Sequence, residues 1–265
     1  MRAFKDKVIW ITGASSGIGE ALALELAGQG ARLILSARRE EELKRVALST
    51  QLPELDLLIL PFDLGNTSNA SGLAAQVMNK FGRIDILINN GGMSQRSEAA
   101  ETSETIERQL MEVNYFSAVN LSKAVLPYMK RQKSGQLVVI SSIAGKFGFY
   151  LRSSYSAAKH ALHGYFESLR LETEKFGIKI LMVCPGKVKT AVSLNAITSS
   201  GSAHNAMDES HQEAMSAEAC ARQILSGIKA QKEEIFVGGK ELLLVKIKRF
   251  FPSLFSKLIR QQSPY

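Results

Sequence analysis

Short apolar runs alternate with amphipathic stretches along the 265-residue chain, and glycine, proline, asparagine or aspartate punctuates the changes. Apolar runs too short for a helix predict buried strands at 7–12, 32–36, 57–60, 84–88, 137–140, 178–183 and 234–237. Between them, apolar residues recur at helical spacing over 18–26, 40–50, 73–81, 104–131, 154–176 and 217–231. The 104–131 stretch predicts one long helix, with Pro127 near its end and Ser134-Gly135 stopping it.

Strand and helix alternating throughout predict an α/β fold. The expected architecture is a Rossmann-type, doubly wound parallel sheet of about seven strands in three α/β/α layers, formed by a single domain over 1–265. Such sheets bind ligands beyond the carboxyl ends of their strands, and the chemistry-bearing residues collect there. The first strand runs into Thr12-Gly13-Ala14-Ser15-Ser16-Gly17-Ile18-Gly19, directly before a helix. Glycines at such a turn let backbone approach a pyrophosphate, and the helix N-terminus offers free N–H groups. The second strand ends on Ser36, followed by Arg38 and Arg39, where an NAD-binding unit would carry an acid. A guanidinium binds a ribose 2′-phosphate that a carboxylate would repel, which favours NADP(H) over NAD(H). Asp63, beside Leu64, suits either an adenine amino group or the start of the next helix. Asn89-Asn90-Gly91-Gly92, Ser141-Ser142 and Pro185-Gly186-Lys187-Val188-Lys189-Thr190 end later strands. Asn114 lies in mid-helix, either as a satisfied polar residue or as a holder of water at a site.

Tyr155 and Lys159 stand at i and i+4 of one expected helix and project from the same face. An ammonium beside a phenol favours the phenolate, so Tyr155 is a candidate proton donor and acceptor, with Ser142 sharing the site from a strand end. His160 and His163 are expected as ordinary polar helix positions, and no metal site is expected, because no ligand spacing accompanies them or His204 and His211.

Net charge is +8, with 45% hydrophobic and 22% charged residues, which is ordinary for a soluble protein. Two well-separated cysteines, Cys184 and Cys220, fit a reducing compartment, and no apolar run is long enough to cross a membrane. Since the first strand starts almost at Met1, no signal peptide is expected, and the expected location is cytoplasmic. Six of the basic residues, against the single acid Glu241, fall in 238–265. That tail is amphipathic, with Pro252 breaking it into two short helices. It suits packing on a neighbouring subunit or peripheral contact with an anionic membrane. A basic excess confined to the tail, without interleaved aromatics, argues against nucleic-acid binding. The Ser/Ala/Asn-rich stretch 191–215 is expected to be a substrate-binding lid loop.

Taken together, Thr12-Gly-x3-Gly17-Ile18-Gly19, Asn89-Asn90-Gly91-Gly92, Asn114, Ser142, Tyr155-x3-Lys159 and Pro185-Gly186 resemble the classical short-chain dehydrogenases/reductases over about residues 5–240. The resemblance implies Tyr155 as general acid or base, and Ser142 as a hydrogen-bond partner of the substrate oxygen. It implies that Lys159 holds the nicotinamide ribose and lowers the Tyr155 pKa, and that Asn114 places a water. It also implies nicotinamide contacts from Val188 and Thr190, and a homodimer or homotetramer. Gly91 stands where the family usually has Ala, and Ala158 where it often has Ser.

Phe147, Phe149, Tyr150 and Leu151 lie between Ser142 and Tyr155, with Met93 after the fourth strand and Met207 in the lid. They point either to an apolar pocket for a lipid-, steroid- or acyl-like ketone, aldehyde or alcohol, or to plain core. The competing reading is a non-catalytic NADP-binding sensor or scaffold of the same fold.

Overall fold

The computed structural model describes residues 3–190, 196–202 and 214–262. The strands are β1 (Val8–Thr12), β2 (Arg32–Ser36), β3 (Leu57–Ile59), β4 (Ile86–Asn89), β5 (Gly135–Ile140), β6 (Ile178–Pro185) and β7 (Glu234–Val237). All pair in parallel in the order β3-β2-β1-β4-β5-β6-β7. The order reverses between β1 and β4, the place where doubly wound sheets leave a crevice for ligand.

Alternation along the strands splits the core into two layers. Ile9, Ile11, Leu33 and Leu35 pack against α1 (Gly17–Ala27), α2 (Glu40–Thr50) and α7 (Ala217–Lys229). Val8, Trp10, Ile34 and Leu87 pack against α3 (Ala70–Phe81), α5 (Ser117–Gln132) and α6 (Ser153–Thr173). Each layer buries aliphatic side chains against helices, which is why both faces of these strands are apolar.

The stretch 104–131 is not one uninterrupted α-helix. α4 (Glu104–Met111) passes through a π-helical turn, Glu112–Phe116, before α5 begins. The Asn114 amide donates to the Leu110 carbonyl at 3.0 Å, the acceptor that its own backbone N–H would use in an α-helix. Side-chain competition for the i−4 carbonyl widens the turn.

The tail forms α8 (Leu243–Phe250) and α9 (Pro252–Arg260), broken at Pro252. It folds back on its own chain: the Phe255 ring meets Phe147 at 4.9 Å between centroids, and Lys248 donates to the Lys146 carbonyl. No helix among the described residues is long and apolar enough to cross a membrane.

At the N-terminal ends of the central strands β1 and β4, the buried Asp85 carboxylate accepts from the Val8 N–H at 2.9 Å and pairs with Arg83 and Lys7. Asp85→Ala strands that N–H in the core and should cost about 1–3 kcal/mol of unfolding free energy. Urea denaturation checks this, and an unchanged midpoint would contradict it.

Candidate active site

The site begins where β1 and β4 end side by side. Thr12 Oγ1 accepts from the Asn90 and Gly91 N–H groups at 3.0 and 3.1 Å. The Asn90 amide returns to the carbonyls of Thr12 and Gly13 at 2.9 and 3.2 Å. Gly13 has φ +63°, and a Cβ there would lie 2.6 Å from the Gly91 Cα, so this crossing excludes a side chain. Ser16 precedes α1 but makes no side-chain capping bond, leaving the first N–H groups of the helix open. Gly13, Ser15, Ser16, Gly17 and Ile18 line the resulting cavity of about 1400 Å³.

Two residues of the expected cofactor set do not face it. Ser36 is fully buried and accepts a hydrogen bond from Trp10 Nε1 at 2.9 Å, because the alternation of β2 turns its side chain into the core. Gly19 is buried inside the first turn of α1, where a Cβ would lie 2.2 Å from the Gly13 carbonyl oxygen. Arg38 and Arg39 are exposed at the cavity wall, and neither guanidinium forms a hydrogen bond or ion pair with another described residue. Arg45 differs, being held by Glu20 and Glu42. Asp63 lines the wall beside Leu64, and its carboxylate accepts from Gly65 N–H rather than capping α3, whose N-cap is Asn69.

Ser142, Tyr155 and Lys159 meet at the deep end of the cavity. The Ser142 hydroxyl accepts from the Ala144 N–H at 3.1 Å and donates to the Pro185 carbonyl at 3.4 Å, and it lies near enough to the Tyr155 phenol to act on its ionisation. Burial pushes the phenol pKa up, while the nearby Ser142 hydroxyl and the Arg152 charge oppose it. Lys159 donates to the Ile140 carbonyl at 2.9 Å and lies 5.7 Å from the Tyr155 ring centroid. Burial pushes its ammonium down to about 8. The expectation that Lys159 lowers the Tyr155 pKa is therefore not met here. The lysine turns back toward β5 and sits over the ring, and the charge acting on the phenol is that of Arg152.

Asn114 reaches this end too, but its amide is committed: Oδ1 accepts from Met93 N–H at 3.2 Å, and Nδ2 donates to Met93 and Leu110. A Cβ on Gly92 would lie 2.7 Å from Asn114 Oδ1 and 3.7 Å from Lys159 Nζ. The small residue lets those two side chains approach. Pro185, Gly186, Val188 and Thr190 also line the cavity, as do Met93, Phe149, Tyr150 and Leu151. Phe147 belongs to the core. Met207, His204, His211 and most of 191–215 lie outside the described residues.

Three supports carry no local sequence signal. Gln95 is fully buried, and its side-chain oxygen accepts from the Ser154 and Tyr155 N–H groups at 2.9 and 3.1 Å, capping α6 from a distant loop. The Glu241 carboxylate accepts from the Lys187 and Gly239 N–H groups, so the start of the tail anchors the Pro185–Thr190 loop. Bonds to backbone N–H groups hold its pKa down against the effect of burial.

His163 is the third. Lys146 donates to its Nδ1 at 3.2 Å, which leaves Nε2–H to donate to Ser141 Oγ at 3.0 Å. That hydroxyl faces the Lys159 carbonyl. The ligand atoms of His163, Cys184 and Glu234 lie within 4.8 Å of one another, but the Lys146 ammonium stands among them, 2.5 Å from Glu234. A resident cation already supplies the charge that a metal would bring.

These motifs at one strand edge agree with the comparisons. The short chain dehydrogenase pattern matches residues 7–200. The chain belongs to the short-chain dehydrogenase/reductase family. It is 42% identical over 247 residues to human dehydrogenase/reductase SDR family member 7, covering 91% of this chain and 72% of that one. It is 36% identical to the bovine member 7B, covering 99% of this chain and 83% of the other. A short-chain dehydrogenase from Streptomyces avermitilis superposes with TM-score 0.80 at 28% identity, over 98% of this chain and all of its own. A Burkholderia phymatum member solved with NAD gives TM-score 0.84 at 22% identity, over 100% and 98%, and supports the fold alone.

Burial, then the Lys146 charge, push the His163 pKa from 6.5 down to about 3. The unfolded chain therefore binds the proton more tightly, and stability is lost as pH falls from 6.5 toward 3. Replacing His163 with Gln should flatten this loss by about 2–3 kcal/mol between pH 7 and 4.5. Urea titrations at both pH values test it, and parallel acid limbs for the two proteins would contradict it.

Proposed function

We propose that the protein is an NADP(H)-dependent oxidoreductase that interconverts a ketone or aldehyde and the corresponding alcohol. The observation that carries this reading is the gathering of Ser142, Tyr155 and Lys159 at one cavity, with the Lys159 ammonium over the Tyr155 ring.

The residues fit a nicotinamide dinucleotide. The crossing at Gly13 and Gly91 admits no Cβ, and the open N-terminus of α1 suits a pyrophosphate. Arg38 and Arg39, uncommitted at the wall, suit a 2′-phosphate. Asp63 and Leu64 would hold the adenine end, and Asn90, Gly91, Lys159, Pro185, Gly186, Val188 and Thr190 the nicotinamide end. When bound, the nicotinamide gives or takes the hydride.

The chain supplies the proton chemistry. In reduction, the Tyr155 hydroxyl gives its proton to the carbonyl oxygen while Ser142 holds that oxygen by a hydrogen bond. The raised Tyr155 pKa keeps the phenol protonated before reaction. The Arg152 charge eases the phenolate that remains, and the Lys159 ammonium, near 8, is largely charged at neutral pH and available to hold the nicotinamide ribose. Asn114 contributes by holding Met93 and the π turn in place. Phe149, Tyr150, Leu151 and Met93 favour a hydrophobic substrate, lipid-, steroid- or acyl-like.

Tyr155→Phe removes the transferable proton and leaves the dinucleotide contacts in place. Turnover should fall by about 100-fold or more, with NADPH affinity, followed by nicotinamide fluorescence, changed little. Equal turnover by variant and parent would contradict the role of Tyr155. A parent that binds NADPH yet turns over no carbonyl would favour the sensor reading.

A further inference from the structure

The tail helices have two unlike faces. Phe255 packs inward on Phe147, with Leu242, Val245 and Ile247 around it, and Leu244 and Ile259 reach the cavity wall. On the outer side, Leu243, Phe250, Phe251 and Leu254 are 59, 67, 63 and 47% exposed. Leu243 and Phe250 are seven residues apart and share one face of α8 with the exposed Lys246, while Leu254 and Lys257 share one face of α9. Four large apolar side chains on one short hairpin of helices exceed the scattered exposure normal for a soluble surface.

The charge around them has one sign. Lys246, Arg249, Lys257 and Arg260 are exposed, and none of their side chains forms a hydrogen bond or ion pair with another described residue. The single acid of the tail, Glu241, is committed to the Lys187 and Gly239 N–H groups. Lys248, the remaining cation of the two helices, is turned toward the Lys146 carbonyl. Among the described residues of the tail, the outer face therefore combines aromatic and aliphatic groups with four uncompensated cations and no free carboxylate.

We propose that the outer face of α8 and α9 docks on an anionic lipid bilayer. Helices with Lys and Arg flanking Phe and Leu lie in the headgroup region, where apolar burial and attraction to anionic lipid act together. A second copy of the chain is the poorer occupant. A two-fold contact through this face would set its four cations against their own duplicates. Docking leaves Phe255 and the inner face in place, and it brings the helices that wall the cavity to the lipid surface. It does not depend on the catalytic reading, and its test needs no turnover.

The full chain is floated with phosphatidylcholine vesicles, with and without phosphatidylserine. Two variants are run beside it: Phe250→Ser with Phe251→Ser and Leu254→Ser, and Lys246→Gln with Arg249→Gln, Lys257→Gln and Arg260→Gln. The parent should float with the anionic vesicles alone and be released by high salt. Each variant should lower the bound fraction by about tenfold or more, with unchanged thermal unfolding and elution volume. Should a variant fail to fold, the lipid and salt dependence of the parent decides. Absence of flotation, equal flotation of parent and folded variants, or a parent dimer that the variants dissolve without any vesicle binding would each overturn the proposal.

Discussion

The Asn90 side chain is the joint on which the rest of the site depends. Its amide bonds the carbonyls ending β1, and Thr12 answers with a hydroxyl to two N–H groups ending β4. Parallel strands have no hairpin to fix their relative ends, so side-chain bonds across the switch point must do it. With β1 and β4 locked at that height, the backbone of Gly13 can pass the Gly91 Cα at a distance no Cβ would allow. The glycine turn, the open helix end and the approach of Gly92 to Lys159 all inherit that alignment.

A second constraint holds the chemistry against this floor. α6 carries Tyr155 and Lys159, and its first turn is tied down by Gln95, which follows β4 rather than α6. Lys159 is fixed by the Ile140 carbonyl at the end of β5, and Ser142 stands two residues further on. The reacting groups are thus referenced to the same strand edge twice, through Gln95 and through Ile140. His163, one turn after Lys159, extends the network outward to Ser141 and Lys146 as a neutral, buried imidazole.

The strands were legible because burial on both faces forces unbroken aliphatic runs, as in Val8-Ile9-Trp10-Ile11. The strand-edge motifs were legible because their glycines and polar residues interrupt those runs. What the sequence concealed depends on partners far along the chain. Ser36 sits at the expected position, yet the pleat of β2 points it at Trp10 instead of the cavity. The π turn at Asn114 arises from one amide competing for Leu110, which periodicity does not register. The i,i+4 spacing correctly placed Tyr155 and Lys159 on one helix face, but it was silent on the lysine turning toward Ile140. Gln95 and Glu241 act on N–H groups 59 and 54 residues away, with no local pattern to mark them. The break at Pro252 was visible, whereas the seat of Phe255 on Phe147 required the fold.

Arg38 and Arg39 stay uncommitted while Arg45, a few residues on, is fully paired, and the account places a 2′-phosphate beside them. The most direct test is a panel of hydrophobic ketones, aldehydes and alcohols, followed by nicotinamide absorbance with the phosphorylated and unphosphorylated cofactors in parallel. The account predicts turnover of at least one carbonyl–alcohol pair, faster with NADP(H) than with NAD(H). Faster turnover with NAD(H), or none with either cofactor across the panel, would contradict it.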